Sequence, residues 1–376
     1  MQKIKLGMIG GGIGAFIGDT HRRAARISNQ FELVGGVFDV DFEKAKEFAD
    51  QQAISLDRTY PDIDTMIEKE KALPEAERIQ VVSIVTPNFL HYPFAKQLLE
   101  NGFHVVCEKP MTMSVEEAED LKKVVEKSGL TFVLTHTYTG YPMVRQMREF
   151  IKEGKLGQIQ RVDAQYYQGW VNGIMHSEDD SLGVWRFDPK VAGMSSCMGD
   201  IGVHAFNLIE YTTGKKVTKV LADLNNVVEK AKLDLDGTVM LRFDEPFLGL
   251  VRSSQMATGE ENNINIAVYG SKGCLKWNQE DPNYLHFIPA DQPRVVYKPG
   301  NPYNTAFAEN SHTMPFGHPE GIYEAFANLY AGAAKSIRGE ELQDGEFTNV
   351  DDGVRGMKFI TQVVASNKDG NVWKEL

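Results

Sequence analysis

At 376 residues, with 42% hydrophobic and 24% charged side chains, the chain has the length for two or three domains and the composition of a globular protein, which excludes disorder and simple repeats. The formal charge of −12 disfavours nucleic acid and anionic membranes as partners, because both reward a concentrated positive field. Three scattered cysteines suggest neither a disulfide framework nor a cysteine zinc site. No apolar stretch nears the roughly 18 residues that cross a bilayer, and the start runs into a strand pattern rather than a signal peptide, so a cytoplasmic protein is expected.

In chain order, residues 4–10 predict a short buried strand, which Gly11–Gly14 turn into an amphipathic helix over about 15–29. A second strand over 31–39 ends in Asp39 and precedes a helical run over 42–52. The Glu- and Lys-rich stretch 67–78 reads as a solvated helix inserted before a β-branched strand at 81–85. Helices at 92–100 and 115–128 then alternate with strands at 103–107 and 130–135. This alternation predicts an α/β domain over 1–137, a doubly wound parallel sheet with helices on both faces.

From about Tyr138 the alternation stops. A helix over 142–153, a strand over 159–167, a loop-rich stretch over 169–199 and a helix over 203–212 lead into strands between 217 and 275, among them 238–243, 249–255 and 265–269. Strands without long helices between them predict an antiparallel or mixed sheet, and so an α+β domain over 138–376, closed by helices at 322–338 and 354–366.

Gly10-Gly11-Gly12-Ile13-Gly14-Ala15 contains Gly-x-Gly-x-x-Ala between the first strand and the first helix. A dinucleotide pyrophosphate needs that arrangement: glycine removes the Cβ that would block approach, and the helix N-terminus presents free N–H groups and a positive dipole end. Asp39, at the end of the second strand, can accept hydrogen bonds from both adenosine ribose hydroxyls and would repel a 2′-phosphate, which favours NAD over NADP. The competing reading is a tight turn with Asp39 as a helix cap.

Two further segments bear chemistry. Glu108-Lys109-Pro110 closes a predicted strand, where open α/β sheets bind ligands; Lys109 there can stabilise alkoxide charge on a substrate oxygen, or can be a surface lysine paired with Glu108. In Gly199-Asp200-Ile201-Gly202-Val203-His204, Asp200 and His204 stand four apart on one face of a helix start. Oxidising a secondary alcohol requires a base for the hydroxyl proton, and histidine titrates in the useful range; Asp200 can orient the imidazole or bind a neighbouring hydroxyl. An N-cap aspartate and a satisfied core histidine are the alternative. Asp200, His204 and nearby Cys197 lack the spacing of a third ligand, so no metal is expected.

These motifs, with Thr86-Pro87-Asn88 followed by His91, occur in order in one chain, which over nearly its whole length closely resembles the glucose-fructose oxidoreductase, inositol dehydrogenase and rhizopine catabolism (Gfo/Idh/MocA) family. The resemblance implies an N-terminal Rossmann domain holding NAD through Gly10, Gly12, Ile13, Gly14, Ala15, Asp39, Thr86, Asn88, His91, Glu108 and Lys109. It implies a C-terminal domain with a large open, mostly antiparallel sheet whose exposed face builds a homodimer or homotetramer. Lys109, Asp200 and His204 become the catalytic set, with His204 as acid/base and Pro110 after a cis bond.

Residues 135–142, Trp185-Arg186-Phe187-Asp188-Pro189 and His318-Pro319-Glu320-Gly321 are similar to inositol and sugar dehydrogenases, which implies Arg186 and His318 against substrate hydroxyls. Tyr138, Tyr166, Trp170 and Trp185 can stack on an apolar sugar face or belong to the core. At 135–138 the chain departs from the Asn-Tyr-Arg type sequence of many relatives, so specificity does not carry over.

The expected activity is NAD-dependent oxidation of a secondary hydroxyl of a cyclic polyol or sugar, with hydride transfer to nicotinamide. One rival is a glycosidase that retains NAD and oxidises, eliminates and re-reduces. The other is a non-catalytic dinucleotide sensor, against which the joint presence of Lys109, Asp200 and His204 argues.

Overall fold

The structure, a computed structural model, describes residues 2–175, 184–227 and 231–376, with the backbone alone at 175, 184 and 185. It contains two compact units: Met1–Thr112 with Glu116–Thr137 and Ile322–Val354, and Met113–Val115 with Tyr138–Gly321 and Arg355–Leu376. Ile322–Val354, which a single division after residue 137 would give to the second domain, thus belongs to the first unit. Packing explains why: Phe326, Ala327, Tyr330, Ala333 and Ala334 share a buried cluster with Ile4, Leu6, Ala24, Ala25 and Phe31.

In the first unit, β1 (Ile4–Gly10), β2 (Phe31–Val37), β3 (Val81–Val85), β4 (His104–Cys107) and β5 (Phe132–Leu134) form a wholly parallel sheet in the order β2-β1-β3-β4-β5. Helices α1 (Phe16–Ile27), α2 (Phe42–Gln51), α3 (Ile63–Ala72), α4 (His91–Glu100) and α5 (Val115–Ser128) run between these strands. Val-Val-Ser-Ile-Val of β3 is buried throughout, as a strand covered on both faces must be. The chain leaves β1 toward β2 on one side and returns to β3 on the other. The carboxyl ends of β1 and β3 therefore flank the switch point at which such sheets bind ligands.

The helix expected at 67–78 instead spans Ile63–Ala72. Asp62 starts it by accepting from the Thr65 N–H at 2.7 Å, and Leu73, held extended before Pro74, ends it. Nor are its charges all solvated: Glu70 is fully buried, binding Arg58 at 2.8 and 2.7 Å, the Tyr60 hydroxyl at 2.5 Å and the Ile79 N–H at 2.7 Å.

The second unit begins with α6 (Pro142–Lys152) and β6 (Ile159–Tyr167). Within the stretch read as loop, short helices α7 (Trp170–Met175) and α8 (Pro189–Ala192) form, the latter capped by Asp188 with Pro189 in its first turn. Helix α9 (Val203–Thr213) is followed by β7 (Val217–Asn225), β8 (Asp236–Phe243), β9 (Leu248–Ser254), β10 (Asn263–Gly270), β11 (Gly273–Asn278), β12 (Leu285–Pro289), β13 (Val295–Tyr297) and α10 (Ala306–Glu309). The first unit's α11 (Ile322–Ile337), then α12 (Val350–Lys368) and β14 (Lys374–Glu375), close the chain.

The second sheet has nine strands in the order β13-β12-β11-β10-β6-β9-β8-β7-β14, antiparallel except where β6 runs parallel to β9. Alternate residues such as Val162, Ala164, Val239, Leu241, Ile264 and Ile266 form its buried face. α9, buried along its whole length, lies against β6, β9 and β10. On the opposite face, side chains including Met240 and Leu248 are exposed.

Candidate active site

The cofactor half begins where β1 runs out. A Cβ on Gly12 would lie 2.7 Å from the Phe38 carbonyl oxygen and 3.6 Å from Asp39 Oδ2, so only glycine lets the turn lie against the end of β2. Gly14 has φ +79° with nothing near its missing Cβ, a left-handed position in open space. No side chain caps α1, whose first-turn N–H groups suit an anion. Arg22, buried on α1, donates to the Gly11 carbonyl at 2.6 Å and lies over the Phe48 ring, tying the turn down from behind. Burial lowers the Arg22 pKa, with Asp19 opposing.

Across the switch point, Thr86 lies beside Gly10, and its buried hydroxyl has no hydrogen-bond partner in the structure. A bare glycine cradle, an uncapped helix start, a carboxylate at the end of β2 and an orphaned hydroxyl fit a dinucleotide. Asp39 also accepts from the Asp41 N–H at 2.9 Å, which fixes its carboxylate.

Glu108 does not form a surface pair with Lys109. It is buried, accepting from Thr135 Oγ1 at 2.5 Å and lying 3.0 Å from His21 Nε2, while His21 Nδ1 meets the Tyr330 hydroxyl at 2.7 Å and that hydroxyl meets Ser83 Oγ at 2.7 Å. Burial pushes the Glu108 pKa up, but His21, Lys109 and Thr135 outweigh it and hold the carboxylate below its ordinary range. Lys109, half-buried, follows with a cis bond to Pro110. His91 is also turned inward: its ring nitrogens lie 2.7 Å from the Pro110 carbonyl and 3.0 Å from that of Thr86. It thereby ties the Lys109–Pro110 and Thr86 segments together rather than opening toward a ligand. Burial lowers its pKa against the pull of those carbonyls.

In the second unit a π-helical turn, Met198–Gly202, runs directly into α9 and carries Asp200, with His204 in the first turn of α9. The turn is held from outside. Asp234 accepts from Ser195 Oγ at 3.0 Å, Ser196 N–H at 3.0 Å and Met198 N–H at 2.8 Å, and its own carbonyl accepts from Cys197 N–H at 3.0 Å. Burial raises the Asp234 pKa against those donors. Asp200 is not an N-cap; its Oδ2 accepts from Gln255 Nε2 at 3.0 Å and lies 3.6 Å from Arg186 Nε.

Tyr138 meets the His204 ring edge-on with centroids 5.0 Å apart, and its hydroxyl contacts that of Tyr166 at 2.5 Å. Tyr166 donates to Asn262 Oδ1 at 2.7 Å. Both tyrosines are buried, and burial, then the Tyr138 and Asp200 neighbours, push the Tyr166 hydroxyl well up. They wall His204 rather than offer an open ring face. Trp170 stacks on Phe187 with centroids 6.0 Å apart, Arg186 lies over Trp170 at 5.9 Å, and the Trp170 N–H donates to Gln168 at 3.1 Å.

The structure thus gathers Tyr138, Tyr166, Trp170, Arg186, Asp200 and His204 within the second unit. The Trp185 side chain lies outside the described residues. His318 is exposed in the loop after α10, its Nδ1 3.1 Å from the Pro315 carbonyl. Sequence reasoning missed His21, Tyr330, Arg22, Asp234, Gln255 and Asn262. Only His21 and Arg22 left a trace, as polar residues on the inner face of α1. Among the described residues no three His, Cys, Asp or Glu side chains gather as a metal site, and no helix is long and apolar enough to cross a membrane.

Comparison with known proteins agrees with the two-sheet fold. Residues 4–137 match the model of the oxidoreductase family with an NAD-binding Rossmann fold, and residues 144–276 that of the GFO/IDH/MocA C-terminal domain. The oxidoreductase YfiI of Bacillus subtilis is 32% identical over 100% of this chain and 97% of its own. Levoglucosan dehydrogenase of Pseudarthrobacter phenanthrenivorans is 28% identical over 81% of this chain and 82% of its own. Among solved structures, an inositol dehydrogenase homologue of Azotobacter vinelandii in complex with NADH and myo-inositol superposes with a TM-score of 0.91 at 31% identity, covering 100% of this chain and 98% of that one. With a glycine-turn Rossmann sheet and a large, mostly antiparallel second sheet, the chain belongs to the Gfo/Idh/MocA family of NAD-dependent oxidoreductases.

Proposed function

We propose that this enzyme oxidises a secondary hydroxyl of a cyclic polyol or sugar to the ketone. The observation that carries the reading is the pairing, on one turn, of Asp200 and His204, with Arg186 beside the carboxylate and Tyr138 against the imidazole. Bound NAD supplies the two-electron acceptor. His204 removes the hydroxyl proton, Asp200 holds the reacting or adjacent hydroxyl and favours a charged imidazole, and Lys109 stabilises negative charge as it develops on the oxygen. Arg186 and Trp170 are proposed to bind the remaining hydroxyls and an apolar ring face, with His318 completing the pocket. Gly10, Gly12, Ile13, Gly14, Ala15, Asp39, Thr86 and Asn88 hold the dinucleotide; His91 and Glu108 act from behind, by fixing the segments around Lys109.

Levoglucosan dehydrogenase among the relatives, and the inositol dehydrogenase homologue in complex with NADH and myo-inositol, favour net oxidation over the glycosidase cycle. Asp39 favours NAD over NADP, because a 2′-phosphate would meet its carboxylate. The exposed face of the nine-stranded sheet, with Met240 and Leu248 outward, is proposed to pair copies into a dimer or tetramer. Light-scattering mass tests the last point; a monomer at micromolar concentration would refute it. Turnover is tested by NADH formation from NAD and a panel of inositols and aldoses, with NADP in parallel. Equal rates with NADP would overturn the role of Asp39.

A further inference from the structure

We infer that Gln255 is a positioning residue that keeps the Asp200 carboxylate an anion in one fixed orientation. Gln255 is wholly buried just after β9, and all four of its polar groups are engaged. Its backbone N–H donates to the Leu235 carbonyl at 2.9 Å, its carbonyl accepts from the Val171 N–H at 3.3 Å, its Oε1 accepts from Ser196 Oγ at 3.4 Å, and its Nε2 donates to Asp200 Oδ2 at 3.0 Å. The amide cannot rotate to the other assignment without setting Oε1 against a carboxylate oxygen. An amide donor at Oδ2 requires that oxygen to accept, so a proton there costs the hydrogen bond.

Other groups act on Asp200 as well. Arg186 lies 3.6 Å from Oδ2 and favours the anion. Asp234 and Asp236 add negative charge near Cys197 on the same turn, and Tyr166 of β6 and the Cys197 thiol feel the Asp200 charge, though burial dominates the pKa of each. His204 follows on α9. Unlike these groups, Gln255 reaches Oδ2 with a buried amide donor.

The inference rests on the proposed role of Asp200 in alcohol oxidation, and Gln255→Glu separates the two. This near-isosteric change sets two carboxylates about 3 Å apart, and such a pair shares one proton into the neutral range. The acid limb of kcat/KM is expected to rise by roughly one pH unit or more, with activity recovering at alkaline pH. Asp234→Asn, which disturbs the same turn and removes a nearby negative charge, lowers turnover and moves that limb, if at all, downward, opposite to Gln255→Glu. Infrared difference spectra of Gln255→Glu at neutral pH supply a readout independent of turnover: a protonated carboxyl band that Asp200→Asn in the same background removes. An unmoved acid limb, or activity depressed equally at all pH values, overturns the inference even if the wild type is an active dehydrogenase. A wild type without turnover on any polyol or sugar, combined with the shared-proton band, overturns the functional reading and upholds the Gln255–Asp200 coupling. Absence of the band overturns the coupling itself.

Discussion

The glycine turn after β1 and the Met198–Gly202 turn before α9 each lead into the start of a helix that carries proposed site residues, but they are built in opposite ways. The first is shaped by missing atoms: Gly12 lies where a Cβ would meet Phe38 at 2.7 Å, and α1 carries no side-chain cap. Most of its determinants are adjacent in sequence. The second is shaped by added atoms from far away: Asp234 binds Ser195, Ser196 and Met198, and Gln255 binds Asp200. A cofactor contact made by backbone needs clearance, whereas an acid–base pair needs side chains held in fixed directions by buried, satisfied partners.

Four substitutions test that contrast. The largest effect is expected at His204. His204→Ala removes the proposed base and should cut kcat by about 10²- to 10⁴-fold, while NADH binding, read by fluorescence, stays within error of the wild type. Unchanged turnover would remove His204 from the chemistry.

Gly12→Val should act on the other half. Its side chain would overpack against the end of β2, costing about 1–3 kcal/mol of stability, and dinucleotide affinity should fall by more than the thermal shift alone explains. Normal NADH affinity in calorimetry would show that the clearance is not what the turn requires.

Asp234→Asn leaves the Met198 or Ser196 N–H facing an amide donor. Unsatisfied buried groups cost about 1–3 kcal/mol, so denaturant midpoints should fall and kcat should drop with NADH binding intact. Loss of NADH binding instead would mean that Asp234 supports more than its own turn.

The smallest effect concerns pH. Burial, with Lys109 adding to it, lowers the pKa of His136 to about 3. The unfolded chain therefore takes up this proton first, near the ordinary value of about 6.5. Stability from this group is complete above that value and falls as pH drops toward 3, by up to about 1.4 kcal/mol per pH unit. Glu108, whose folded pKa is depressed, adds to the loss only in more acidic solution, as pH falls through its folded value. Urea denaturation of His136→Asn between pH 4 and 6.5, set beside the wild type, should show a flatter slope; identical slopes would contradict the assignment.

The same contrast explains what the sequence revealed. Alternation of strand and helix carried the Rossmann sheet, because each unit there is local and periodic, and Gly-x-Gly-x-x-Ala could be read as a turn because its glycines fall within six residues, whereas the Phe38 carbonyl that crowds Gly12 left no local sign. Asp200 and His204 were visible by their i, i+4 spacing. Their supports were not: Asp234 and Gln255 are 34 and 55 positions beyond Asp200 and belong to no motif. Tyr330 reaches His21 across 309 positions, on a segment that sequence order alone assigned to the second domain. Strands β12, β13 and β14, at five, three and two residues, were too short to show alternation. Glu70 was read as solvated because nothing local announces Arg58 and Tyr60 as its partners.

Net oxidation of a polyol or sugar hydroxyl by NAD, with His204 as the proposed base, can be followed in one assay. The most direct test incubates the purified enzyme with NAD and a panel of inositols, aldoses and aryl glycosides, following NADH absorbance and aglycone release together. NADH accumulating with one polyol or sugar, and lost in His204→Ala, is the predicted result. Aglycone release without NADH, or NADH formation that survives His204→Ala, would contradict the account.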